Sequence, residues 1–163
     1  MTRARGGDAR HWMRLTALAF VVACEAAPPP PPPPSFRALA TNKQLMAEVL
    51  EPAANAYWES VGTVTDKRGT VEKTPRTDDE WAAVRNAATV VAESGNLMMI
   101  EPRVVNRGEW LGLARGLVDA GERARSAAVS RSRQAVFDAG AEVYDACVAC
   151  HSRYMPGVAP PPR

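Results

Sequence analysis

Two thiols and an imidazole stand close together in the run Cys147-Val148-Ala149-Cys150-His151. On a helix, residues three and four apart share a face, so Cys147, Cys150 and His151 would all meet one flat ligand. A C-x-x-C-H run lets two thiols add to the vinyl groups of one porphyrin as thioethers, with the adjacent histidine beneath the iron. One covalently attached haem c is therefore the expected cofactor, with His151 as its proximal ligand. Three other readings stay open. A thioredoxin-like redox pair needs a strand before the motif and an α/β context, whereas this motif closes a helical pattern. A structural zinc site needs four ligands, and the body of the chain offers these two cysteines and one histidine. A plain disulfide would leave His151 without a role.

The far side of such an iron is restricted by arithmetic. The other histidine, His11, lies in the leader, so the mature chain cannot supply a second imidazole. Met46, on the inward stripe of the first helical segment, is the candidate distal ligand, since a soft thioether stabilises ferrous iron. The plain alternative is that Met46 fills core space, as methionine commonly does. Met98 and Met99 sit near a helix end and are weaker candidates.

The elements that must position these groups read as helices. Residues 36–60 place Leu39, Met46, Leu50, Ala53 and Tyr57 on one side, and Pro52 should kink the helix or start a fresh one after Leu50. A loop over 61–76 is long for a compact domain. Thr77-Asp78-Asp79-Glu80 is a capping box opening a second helix, with Trp81, Val84, Ala88, Val91 and Met98 inward. Pro102 and Gly108 mark a break. A third helix spans 109–128, with Trp110, Ala114, Leu117, Gly121 and Ala124 on one face. The fourth spans 132–154, with Val136, Gly140, Val143 and Cys147 in a stripe flanked by Phe137 and Tyr144. No stretch shows convincing period-two alternation or a hairpin signal, so the expected fold is all-α, an antiparallel four-helix bundle. The many alanines and glycines would leave space in its middle for something large. Trp58, Trp81 and Trp110 would pack around the haem or seal the bundle. Arg37, Lys43 or Arg85 could meet propionates, while Arg123 and Arg125 read as surface charge.

With the motif at the end of the last of four helices, the chain from 36 to 157 resembles the class II c-type cytochromes, the group of cytochrome c′ and its low-spin relatives. The family often continues H-x-x-[FY]-[RK]. Tyr154 fits the aromatic place, Met155 stands where a basic residue is expected, and Arg153 lies two places earlier. The resemblance implies a non-enzymatic carrier of single electrons between redox proteins. It also implies a methionine on the first helix as distal ligand in low-spin members, and a possible homodimer. Five-coordinate members bind nitric oxide or carbon monoxide, which is the alternative function. A structural lipoprotein with an unused motif is a third.

The N-terminus reads as an export signal over 1–23: four arginines, then an apolar run over 15–23 too short to span a bilayer. Val21-Val22-Ala23-Cys24 resembles a bacterial lipobox, which would make Cys24 the lipidated first residue of a periplasmic protein anchored to a membrane. The rival is cleavage near Ala26-Ala27 with Cys24 discarded; a cytoplasmic N-terminal helix is the plain alternative. The linker over 24–35 includes seven prolines at 28–34, favouring polyproline II and a semi-rigid spacer of roughly 20 Å. The tail over 158–163 is expected to be flexible.

The 163 residues are 46% hydrophobic, enough for one packed domain rather than a disordered chain. Setting aside the four arginines and one aspartate of 1–23 leaves 16 basic against 17 acidic residues. That balance gives no nucleic-acid footprint.

Overall fold

The computed structural model describes residues 36–155. The stretch expected to be an export signal, with His11, Cys24, the proline run and the tail expected at 158–163, lies outside the described residues. The described chain folds into four helical rods and one small hairpin.

The first rod is composite: α1 (Asn42–Leu45), a π-helical turn (Met46–Leu50) and α2 (Glu51–Trp58). Thr41 caps it by accepting from the Gln44 amide, while the Gln44 side chain accepts from the Thr41 amide at 3.1 Å. Pro52 has no N–H, and its ring would press on the carbonyl four residues earlier. The widened turn, closed by the Glu51 amide donating to the Met46 carbonyl, comes just before it and lets the rod run on. The break expected after Leu50 is thus a change of helical pitch. Leu39, expected inward, is 84% exposed, because the helix starts only at Asn42 and leaves it off every helical stripe.

The stretch expected as a plain loop contains an antiparallel hairpin, β1 (Gly62–Asp66) and β2 (Gly69–Lys73), with Val64 opposite Val71. The expectation of a chain without strands is therefore corrected. Its turn is closed locally: Asp66 accepts from the Arg68 amide at 2.7 Å, and Gly69 holds a φ of +129°, which L side chains rarely adopt. Arg133 ties the hairpin to the helices by donating to the Gly62 carbonyl at 2.9 Å.

The remaining rods are α3 (Asp78–Met98), α4 (Glu109–Ser130) and α5 (Arg133–Tyr154). The capping box forms at Thr77 and Glu80. Ser132 caps α5 by accepting from the Ala135 amide. Arg131, in the left-handed region, turns the chain between α4 and α5. Gly121 faces Ala92, while Gly95 faces Ala114 and Val118, so α3 and α4 run in opposite directions at close range. α5 packs along α4, and the first rod packs mainly on α3. Contact between the first rod and α5 is sparse. The small residues expected to leave a hollow centre instead let α3 and α4 approach backbone to backbone. Trp81, Val84, Ala88, Val91 and Met98 are buried as the periodicity predicts, as are Ala114, Leu117, Ala124, Val136 and Val143. Phe137 is exposed.

Candidate cofactor site

The motif occupies the last turns of α5. That helix has 22 residues, and its fully buried positions are Val136, Ala139, Gly140 and Val143. From Tyr144 onward none is fully buried, and Cys147, Cys150 and His151 are half-covered. The N-terminal half of α5 therefore completes the core, while the half with the motif only partly does.

Ala146, Cys147, Cys150 and His151 form one wall of a small cavity. Facing them are Met46 and Leu50 from the first rod, Met98 from the end of α3, and Leu113 and Leu117 from α4. The sequence-predicted residues Cys147, Cys150, His151 and Met46 are thus brought together, and Met98 joins them. Met99, Arg37, Lys43, Arg85, Arg123 and Arg125 do not line this cavity. Arg123 pairs instead with Glu142 on the surface.

Cys147 and Cys150 are free thiols. Burial, with Cys150 as a lesser contribution, pushes the Cys147 thiol up to about 11, and burial also raises Cys150. A redox-active C-x-x-C pair works through a thiol of lowered pKa, so these shifts run against that reading. The His151 imidazole makes no hydrogen bond to a described residue. Among the described residues, no group of three or more His, Cys, Asp and Glu side chains converges so as to hold a single metal ion.

The donor set fits a flat iron macrocycle: two thiols and an imidazole on one wall, with thioethers and leucines opposite. The space is small, about 20 Å³, against the roughly 300–1,000 Å³ of typical small-molecule sites. Room for a macrocycle would have to come from parting helices. A larger cleft of about 620 Å³ lies toward the other end of the rods, between the hairpin and α2 and α3, and contains none of the motif.

Several contacts hold the surroundings in place. Trp110 Nε1 donates to the Met98 carbonyl at 2.9 Å, and its ring meets Tyr154 edge-on with centroids 5.0 Å apart. Asn106 donates to the Tyr154 hydroxyl at 2.7 Å, and Arg153 donates to Glu109 at 2.7 Å. Together these fasten the end of α5 to the start of α4. Trp58 Nε1 donates to the Gly140 carbonyl at 2.9 Å, pinning the first rod to the upper part of α5. Two tryptophans therefore seal seams, and their N–H groups are satisfied as buried indoles require.

No sequence pattern marks Arg103, yet it is only 8% exposed. It donates to the Ala40 and Leu97 carbonyls at 2.9 Å each, and its own carbonyl accepts from Asn42. One side chain thus joins the entry of the first rod to the end of α3. An arginine just after Pro102 in a predicted break carries no pattern that would reveal this.

Compared with protein-family models, curated proteins and solved structures, the chain matches none.

Proposed function

We propose that this chain is an exported c-type cytochrome of the class II kind, carrying single electrons through one covalently held haem. The observation supporting this is the half-covered end of α5. There a C-x-x-C-H run faces a seam of thioethers and leucines, on a helix whose other half buries Val136, Ala139, Gly140 and Val143 in the core. Cys147 and Cys150 would hold the haem as thioethers and His151 would be the proximal ligand, its imidazole held by no hydrogen bond to a described residue. Met46 is the distal ligand that the family resemblance implies. When bound, the haem supplies one-electron redox chemistry and the protein supplies orientation and tuning. Leu50, Leu113 and Leu117, which line the same cavity, would keep water from the bound group, and the low polarity there would favour its less charged ferrous state. The ties from Asn106 and Glu109 to the end of α5 hold the motif against α4.

In this reading the protein is not an enzyme, and it exchanges electrons with redox partner proteins. It would act in the periplasm, held to a membrane through lipidated Cys24. No helix among the described residues is long and apolar enough to cross a membrane.

The test is an optical spectrum of the full chain exported in a host that attaches haem c, recorded oxidised, reduced, and reduced with carbon monoxide. The expected result is a sharp low-spin reduced spectrum indifferent to carbon monoxide, with a haem that resists acid extraction and is lost in Cys147→Ala/Cys150→Ala. A high-spin spectrum that shifts with the gas would favour the gas-binding alternative. A colourless protein would overturn both.

A further inference from the structure

We infer that β2 is a docking edge for a second copy of this chain: two hairpins pair antiparallel along Gly69–Lys73 into one continuous sheet centred on Val71. The inference stands apart from the haem reading, because the residues of the hairpin and those of the motif line different cavities. The hairpin is incomplete by itself. Every residue of β2 is exposed, as are four of the five in β1, and a two-stranded sheet alone in water is marginal. Val64 and Val71 stand opposite one another and line the cleft against α2 and α3, yet remain 58% and 63% exposed. Arg133 fastens the start of β1, donating to the Gly62 carbonyl at 2.9 Å and to the Thr63 hydroxyl at 3.1 Å. Among the described residues, nothing outside the hairpin bonds to Gly69–Lys73.

The register decides which groups face outward. Asp66 pairs with Gly69 across a two-residue turn, so the mutually bonded pairs are Asp66 with Gly69, Val64 with Val71 and Gly62 with Lys73. Thr70 and Glu72 therefore turn their amides and carbonyls away from β1, toward the open edge. Two copies of β2 run antiparallel about Val71 bring each Thr70 opposite the partner's Glu72, and the outward groups of both residues are then satisfied. Val71 meets the partner's Val71, so Val64 and Val71 of both copies form one unbroken apolar row. Lys73, the kind of charge that guards an exposed edge, falls opposite the partner's Gly69 and repels nothing. Centring the pair on Glu72 would set two carboxylates opposite each other, and centring it on Thr70 would set each Val71 against a glycine. The strand thus favours one self-pairing.

The test is sedimentation equilibrium of the full chain carrying Cys24→Ser, so that no lipid joins copies. Two short strands make a small interface, so the series runs to about 1 mM, the weak end of specific association. The expected result is a concentration-dependent dimer. Val71→Lys, which sets like charges opposite each other, should weaken it at least about tenfold, while Thr65→Lys on the other strand should not. Cross-linking under a mild copper oxidant reads the position. Facing residues of this kind have Cα atoms about 4.5 Å apart, within reach of a disulfide, so Val71→Cys should join two copies. Val64→Cys, three strand spacings or about 14 Å from its counterpart, should give no more than the background of the chain's own cysteines. Helix content by circular dichroism confirms that each variant folds. A monomer throughout the series would overturn the inference. So would a dimer that Val71→Lys leaves intact, or one that cross-links equally through Val64→Cys.

Discussion

Gly121→Ala sets helix propensity against packing, and the structure says which wins. In a helix interior, alanine is favoured over glycine by about 0.8–1.0 kcal/mol. At Gly121, however, the added methyl would stand 2.6 Å from the Ala92 amide nitrogen and 2.7 Å from its Cα and Cβ. Ordinary carbon contacts lie near 3.5–4.0 Å, so α3 and α4 would have to separate by about 1 Å. Overpacking of that kind costs about 1–3 kcal/mol, and backbone atoms cannot swing aside as a side chain can. The expected net effect is a loss of up to about 2 kcal/mol. Gly112 and Gly116 on the same helix provide the comparison, since a Cβ at either meets nothing within 4 Å. Gly112→Ala and Gly116→Ala should each stabilise by up to about 1 kcal/mol. Urea unfolding followed by circular dichroism reads the difference. With a slope of about 1–3 kcal/mol per molar, the midpoint of Gly121→Ala should fall and those of the other two should rise, by a few tenths of a molar or more. A rise for Gly121→Ala matching that of Gly116→Ala would refute the close α3–α4 contact.

Two further outcomes are expected from the capping box, and one from the N-terminus. Thr77→Ala removes a hydroxyl that accepts from the Glu80 amide at 3.1 Å and should cost about 1 kcal/mol in the same urea assay. The amides of Arg76 and Thr77 hold the Glu80 carboxyl below the usual carboxylate range, so its contribution is present above the ordinary glutamate pKa and lost as pH falls through the lowered value. Glu80→Gln should accordingly flatten that part of the acid limb of stability against pH, and an unchanged limb would contradict the capping role. At the N-terminus, Cys24→Ser should move the exported protein from the membrane fraction to the soluble periplasm; retention on the membrane would refute the lipid anchor.

Much of the helical framework was legible because its signals are local. Thr77 and Glu80 are three apart, so a capping box reads directly from sequence. The alternation of Trp81, Val84, Ala88 and Val91 repeats at helical spacing and does bury that face. The hairpin was missed because Thr63-Val64-Thr65 alternates over too few residues, and its valines are 58% and 63% exposed, so no buried face stamps a period on the sequence. The repeated Gly-Thr-Val at 62–64 and 69–71 was the available clue. Leu39 misled because hydrophobicity marks a face only where a helix exists, and this one begins three residues later.

The chemistry at hand is written in one short stretch of chain: two thiols and an imidazole at helical spacing, with the other histidine, His11, far away near the N-terminus. Near neighbours share a helix face whatever surrounds them, so that much needs no knowledge of the packing. What faces them is set by the packing alone. Met46 and Met98 lie 52 positions apart along the chain and meet at one cavity solely because the first rod starts, and α3 ends, beside the end of α5. Likewise, no local pattern marks Arg103 as buried, since its partners are carbonyls contributed by two other stretches of chain. Contacts between distant segments depend on how rods pack, and packing depends on summed shapes that no single stretch of sequence contains.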